Sequence, residues 1–333
     1  MKRLFIILFP LCLCACSLID DDLSVCGEEL VIDYQVQLHT ELDLQLQTDL
    51  CLVEETPVRE ALQKLWEPIF TDKAKDIDLR FFLGSTDILK YRIQEIINDN
   101  RSSYTIRLPK DDYMHLALAN IADNRQVHLS GADHAATMIL SLPESGTVSP
   151  LNTGVFTARL PMNVNDSVRR FDVHLYMVTA AVALVIDTTL CDSLESLSSV
   201  MNGSACTFAV QDSVFSYARP CVLNLEDVPV GSGQAMPRMA VRGEQSNLFA
   251  CQATVGLPTQ DDQSWTITCV ATLEGNRHTT STLTIAEPLK AGTLRIIKLT
   301  MEGNGAVKPN VGQQVGATVT LDWNSGGEHE IEI

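Results

Sequence analysis

The 333-residue chain is short of three things that would point to a common biochemical class. It is short of basic residues, with 24 Lys and Arg against 42 Asp and Glu and a formal net charge of -18. That balance repels phosphate backbones and anionic headgroups at long range and excludes nucleic acid as a partner. It has no apolar run after the first fifteen residues that approaches the roughly 20 needed for a spanning helix. The nearest, from Val173 to Ile186, is interrupted by His174, Tyr176 and Thr179. It also lacks compact chemical motifs: there is no G-x-S-x-G elbow, Walker loop, G-x-G-x-x-G or C-x-x-C. Its seven histidines (39, 115, 128, 134, 174, 278 and 329) show no H-E-x-x-H or other metal-ligand spacing. These absences argue against a zinc hydrolase, a thioredoxin-type redox centre and a nucleotide enzyme, and call for no cofactor and no metal.

The chain begins with a strong signal. Lys2 and Arg3 lead through Leu4 to Pro10 into Leu13-Cys14-Ala15-Cys16. A basic start, a short apolar core and a small-residue end before cysteine form a bacterial lipobox, which places cleavage before Cys16 and diacylglycerol on its thiol. Residues 1–15 then read as a lipoprotein signal peptide and 16–27 as a lipidated, acidic tether containing Asp20, Asp21 and Asp22. Three adjacent acids beside a lipidated end fit a solvated segment better than a calcium site. Loss of Lys2 and Arg3 with no acid takes the formal charge from -18 to -20. The lipid is the expected membrane anchor.

Cys12 and Cys14 leave with the signal, and Cys16 carries lipid. That leaves Cys26, Cys51, Cys191, Cys206, Cys221, Cys251 and Cys269. Export permits disulfides, and Cys26 and Cys51 bracket one strand candidate, which favours their pairing. The pairing of the other five stays open, and an odd number leaves at least one thiol. Cys269, alternating with Trp265, Ile267 and Ala271, reads equally well as a small buried residue or as half of a bridge.

Apolar alternation dominates the pattern. Ile32, Tyr34, Val36 and Leu38 alternate with polar residues, the period of a strand with one buried face. Thr56 and Pro57 read as N-cap and first helical residue, with Val58, Leu62, Leu65 and Trp66 on one helical face before Pro68. Strand candidates follow at 77–83, 104–108, 115–121, 127–129, 138–142 and 155–160, whereas Tyr91 to Ile97 reads as strand or helix. Helices of crossover length are absent between them, which favours sandwiches over alternating α and β units. The polar stretch from Met162 to Arg170 suggests a boundary, dividing the mature chain into an N-terminal domain at 28–164 and a C-terminal domain at 165–333. Ala180 to Ile186 is apolar on both parities, as in a strand covered on both faces. Gly303-Asn304-Gly305 and Asn324-Ser325-Gly326-Gly327 read as turns. Trp66, Trp265 and Trp323 lie on apolar patterns that suit core packing better than sugar stacking. Carboxylates are plentiful, but no pair is marked out for glycoside hydrolysis. Asp166-Ser167-Val168, Asp187-Thr188-Thr189, Asp192-Ser193-Leu194 and Asp212-Ser213-Val214 resemble the aspartate, hydroxyl, apolar tripeptide of Bacteroidetes O-glycosylation, Thr189 fitting least well.

The layout resembles the Bacteroidales fimbrial anchor and minor fimbrial subunit family of type V pili, the FimB-type lipoproteins related to fimbrillins. The segment from Cys16 through Asp20-Asp21-Asp22-Leu23-Ser24 to Cys26 carries the resemblance most specifically. Phe171 to Ile186 and Val319-Thr320-Leu321-Asp322-Trp323 are similar to strands of the family's second domain. The lower aromatic content of the first strand and the cysteines from Cys191 onward depart from its pattern. The resemblance implies an all-β protein of two tandem transthyretin-like β-sandwich domains, with a short helix in the first. It implies a palmitate-bearing outer-membrane lipoprotein, lipid-anchored and surface-exposed, that anchors a fimbrium or serves as an accessory subunit in cell adhesion. Fimbrillin-like subunits are then the partners, joined by strand addition. The candidate groove lies beside Val182, Leu184 and Ile186. A surface glycan-binding or adhesive lipoprotein without a pilus role is the alternative reading, and a secreted hydrolase is disfavoured.

Overall fold

The computed structural model describes residues 29–38, 50, 53–70, 74–96, 103–144, 146–230, 249–310, 315–322 and 328–331. The described chain is nearly all β and forms two tandem β-sandwiches, with one short α-helix in the first. The first half contains β1 (Glu29–Leu38), α1 (Thr56–Trp66), β2 (Asp76–Leu83), β3 (Leu89–Ile96), β4 (Ser103–Pro109) and β5 (Asp111–Ala119). It continues through β6 (His128–Ser130), β7 (Ile139–Ser141), β8 (Thr147–Val148), β9 (Phe156–Val164) and β10 (Arg170–Met177). Seven of these strands run side by side in the order β3-β2-β5-β9-β10-β1-β4.

The second half comprises β11 (Ala180–Asp187), β12 (Leu194–Ser204), β13 (Thr207–Ala209), β14 (Val214–Ser216), β15 (Cys221–Asp227) and β16 (Phe249–Gly256). After these come β17 (Trp265–Leu273), β18 (Arg277–Ile285), β19 (Leu294–Met301), β20 (Val307–Pro309), β21 (Val315–Asp322) and β22 (Glu328–Ile331). Their main path is β20-β19-β11-β16-β15-β12-β17-β18-β21-β22, with β8 of the first half added beside β15. A third, four-stranded sheet, β14-β13-β7-β6, takes two strands from each half.

The division between halves differs from the expected 164/165 boundary. β9 runs on through Met162 to Val164, and β10 pairs in parallel with β1, so β10 belongs to the first sheet. The main sheets divide at Val178 and Thr179. The polar stretch that suggested a linker is the exposed turn between β9 and β10, where the Asn165 side chain accepts the backbone N–H groups of Ser167 and Val168. Its polarity records a capped turn.

The helix is shifted by one residue from its expected start. Glu55 is the N-cap, without a side-chain cap bond, and Pro57 lies in the first turn, where its missing N–H costs least. Val58, Leu62 and Trp66 are the buried face. The ambiguous segment after Gly84 resolves as strand β3, laddered against β2 from Asp76↔Ile96 to Phe82↔Leu89. The Gly303-Asn304-Gly305 turn joins β19 to β20 as expected, with Gly305 at φ 83°. Trp66 and Trp265 are in the core. Trp323 and the Asn324 to Gly327 turn lie outside the described residues.

Candidate functional site

β11 is the strand on which the candidate groove rests. Its run of Ala and β-branched residues suits a strand packed on both faces, and Val182, Leu184 and Ile186 are fully buried. Both of its backbone edges are taken. β16 pairs antiparallel along it from Ala180↔Gly256 to Asp187↔Phe249, and β19 pairs in parallel from Ala181↔Leu294 to Asp187↔Thr300. The expected open groove beside Val182, Leu184 and Ile186 is therefore filled by the chain's own β19 and β16. The sequence signal was correct about burial, but burial on both faces marks a central strand, whose ladder groups are already satisfied. Among the described residues, the two main sheet paths end on β3 and β4 in the first half and on β20 and β22 in the second, and the third sheet ends on β14 and β6.

The expected lipidation residue Cys16 and the candidate pair Cys26 and Cys51 lie outside the described residues. The direction of β1 fixes the pole at which Glu29 begins the first described strand. β1 runs parallel to β10, with Asp33 opposite Arg170 and Leu38 opposite Leu175. β10 then delivers the chain through Val178 and Thr179 into the second half. The Glu29 end of β1, beside Pro109 of β4, is thus at the pole of the first half remote from the second.

Several titratable side chains are buried in the first half. His115 is fully buried; its Nδ1 is 2.9 Å from the Arg80 carbonyl and its Nε2 is 2.5 Å from the Tyr34 hydroxyl. The carbonyl can only accept, so Nδ1–H donates and Nε2 accepts from Tyr34. The ring stacks on Phe81 at 4.3 Å between centroids, and burial lowers its pKa to about 4. Burial likewise raises the Tyr34 phenol. On the other face of β2, the Asp78 carboxylate accepts from Arg80 Nε and Nη2 at 3.2 and 2.9 Å, and from Arg92 Nε and Nη2 at 2.9 and 2.7 Å. Arg80 also reaches the Ala132 carbonyl at 3.0 Å. Asp76 accepts the N–H groups of Ile121, Ala122 and Asp123, though burial outweighs these bonds and raises its pKa. These groups fasten the connection after β5 over β2; their lone pairs and protons are engaged by the fold. Among the described residues no group of three or more His, Cys, Asp or Glu is placed to hold a metal ion.

The junction between the halves was not foreseen. β7 pairs antiparallel with β13, Ile139↔Ala209 to Ser141↔Thr207, and β8 pairs in parallel with β15. Backbone bonds from Leu142 to Cys206, Val210 to Met138 and Leu151 to Val255 extend the seam. Strands of two or three residues leave too short an alternation to reveal their partners. The O-glycosylation-like tripeptides fall at the surface in part: Ser167 and Ser213 are exposed, whereas Thr188 and Ser193 are half-buried.

No family model matches the sequence, and no curated protein matches it. The fold is shared with solved proteins of the Bacteroidales. A candidate adhesin from Bacteroides thetaiotaomicron superposes with a TM-score of 0.55 at 9% identity, covering 85% of this chain and 96% of that one. A candidate polysaccharide-binding protein from the same organism gives 0.51 at 10% identity, over 91% and 99%. The fimbrial anchor protein Mfa2 from Porphyromonas gingivalis gives 0.50 at 11% identity, over 82% and 91%. The likeness extends across both sandwiches. Among the described residues no helix is long and apolar enough to cross a membrane.

Proposed function

We propose that the chain is an outer-membrane lipoprotein that acts as a fimbrial anchor or accessory subunit, joined to fimbrillin-like subunits by strand addition. One observation carries the reading: a lipobox and acidic tether at Cys16 head a chain that shares its two-sandwich fold with the fimbrial anchor Mfa2. The direction of β1 supports it, because a tether entering the pole remote from the second half leaves that half pointing away from the lipid. The donated segment adds to a strand that ends a sheet path, since β11 is already paired on both edges. Replacement of Cys16 with Ala tests the anchor. The expected result is fimbriae released from cells into the medium while the variant is still produced. Fimbriae that stay on the cells at the parent's level overturn the reading.

A second reading, an adhesive glycan-binding lipoprotein without a pilus role, has its own observation. On the outward side of β12, β17, β18 and β21, register stacks Val200, Thr268, Thr282 and Thr318 in one row and Ser198, Val270, Thr280 and Thr320 in the next. These rows are free of charge in a strongly acidic chain, and their hydroxyl and methyl groups suit a neutral sugar chain better than a charged one. Retention of a neutral glycan on an array, with no fimbrial subunit copurifying, selects this reading over the first.

A further inference from the structure

Cys206 and Cys221 come together where the two halves meet. The register of β12 against β15 shifts at Gly203, so that Ser204 stands opposite Cys221, and Cys206 follows two residues later at the entry to β13. The Cys206 Sγ is 3.6 Å from the Leu142 carbonyl oxygen and 3.8 Å from that of Pro143. The Cys221 Sγ is 3.9 Å from the same Pro143 oxygen, and Cys206 lies near enough to help raise its thiol pKa. Two sulfurs thus sit side by side under one carbonyl, both nearly shielded from solvent. The other buried thiols have different neighbours: Ser193 and Gly305 near Cys191, Asp227 near Cys251 and Ser199 near Cys269.

We propose that Cys206 and Cys221 form an intramolecular disulfide in the exported protein. The proposal rests on the export part of the reading above, because an oxidising compartment is needed. The bond would tie the entry of β13 to the start of β15 and close the β13–β14 hairpin into a loop. That hairpin is the part of the second half that pairs with β7 of the first, so the disulfide would staple the seam. The step is ordinary exchange with a disulfide-bearing oxidoreductase of the cell envelope. One cysteine thiolate attacks the donor disulfide, forming a mixed disulfide and releasing one donor thiolate. The second cysteine then attacks the mixed disulfide, the Cys206–Cys221 bond forms, and the donor leaves as a dithiol carrying the two electrons and two protons. Burial raises the Cys221 thiol, so attack is slow once the junction has closed. Oxidation therefore belongs to the folding stage, and afterwards the bond is sheltered from reductants.

The test uses the full chain recovered from the cell envelope, denatured in excess N-ethylmaleimide without reductant, digested and mapped by mass spectrometry. The expected result is a peptide pair joined through Cys206 and Cys221, two hydrogens lighter than its parts, with no maleimide on either residue. In Cys221→Ser, Cys206 is expected to take up maleimide. An envelope chain that carries maleimide on both cysteines, or that joins Cys206 to a different cysteine, overturns the disulfide and leaves the anchor reading standing. A chain found only in the cytoplasm overturns the export reading and the disulfide together.

Discussion

His115 shows how one buried side chain makes stability depend on pH. Both of its hydrogen bonds require a neutral ring, because the Arg80 carbonyl takes the Nδ1 proton and the Tyr34 hydroxyl needs a lone pair on Nε2. Burial holds its pKa at about 4, below the ordinary 6.5. Between those values the unfolded chain binds a proton that the folded chain refuses, so stability rises with pH across the window. The contribution is complete above about pH 6.5 and is lost as pH falls towards 4. It is on the order of 3 kcal/mol at 1.36 kcal/mol per pKa unit. Thermal melts from pH 7 to pH 4 are expected to show a drop in Tm for the parent that is clearly shallower in His115→Phe, although that variant starts lower because Tyr34 and Arg80 lose a partner. Parallel slopes would assign the acid sensitivity to other groups. A histidine without ligand spacing is left to the surface or the core, and His115 takes the core. The Asp78, Arg80 and Arg92 network gave no such warning, because charged residues alternating with Ile77, Leu79 and Phe81 ordinarily mark a solvent face. Here the connection after β5 covers them.

Strands were most legible where alternation was long and bounded by turns. β17, with Trp265, Ile267, Cys269, Ala271 and Leu273 buried and the residues between them half-exposed, has the pattern its sequence announces. The misread elements are those in which polarity had a local cause. The Met162 to Arg170 stretch is strand end plus capped turn, and Phe171 to Ile186, which the resemblance assigned to the second domain, is split between the sheets of both halves. The irregularity in β12 was not readable either, since a glycine within a strand pattern marks a bulge only when its partner strand is known. Gly203 adopts φ 101°, where a side chain is strained, and a Cβ there would meet the Trp265 Cβ at 3.0 Å. Gly203→Ala is expected to destabilise the protein by roughly 1–3 kcal/mol, from backbone strain and the crowded tryptophan together. Chemical denaturation checks this, with a lower midpoint at unchanged m. A variant as stable as the parent would mean that β12 can pair with β15 without the bulge.

At the scale of the whole molecule, two sandwiches were legible from the spacing of short strands, but their coupling was not. Pairing between β7 and β13 depends on residues far apart in sequence and on strands too short to carry a period. The coupling is nonetheless extensive. Leu140 and Phe208 stand opposite each other in that ladder, both buried, and Arg159 of the first half donates to the Gln211 carbonyl of the second at 2.8 Å. β8 adds a strand of the first half to the main sheet of the second. Domains joined only by a linker melt separately, whereas a shared sheet and a continuous core make the opening of one half expose surface of the other. The parent is therefore expected to give one calorimetric transition. Leu140→Ala removes a fully buried side chain at the seam, a loss of about 2–5 kcal/mol for such a cavity. Because that loss falls on the contact between halves, it should broaden the single transition or split it into two, whereas an equal loss deep within one sandwich at Leu62 should lower one sharp transition. Two resolved transitions in the parent, or a Leu140→Ala melt as sharp as that of Leu62→Ala, would show that the seam does not couple the halves. On the anchoring at Cys16 proposed above, that coupling would let force applied to the second sandwich reach the first through a paired sheet as well as through the single strand of chain at Val178 and Thr179.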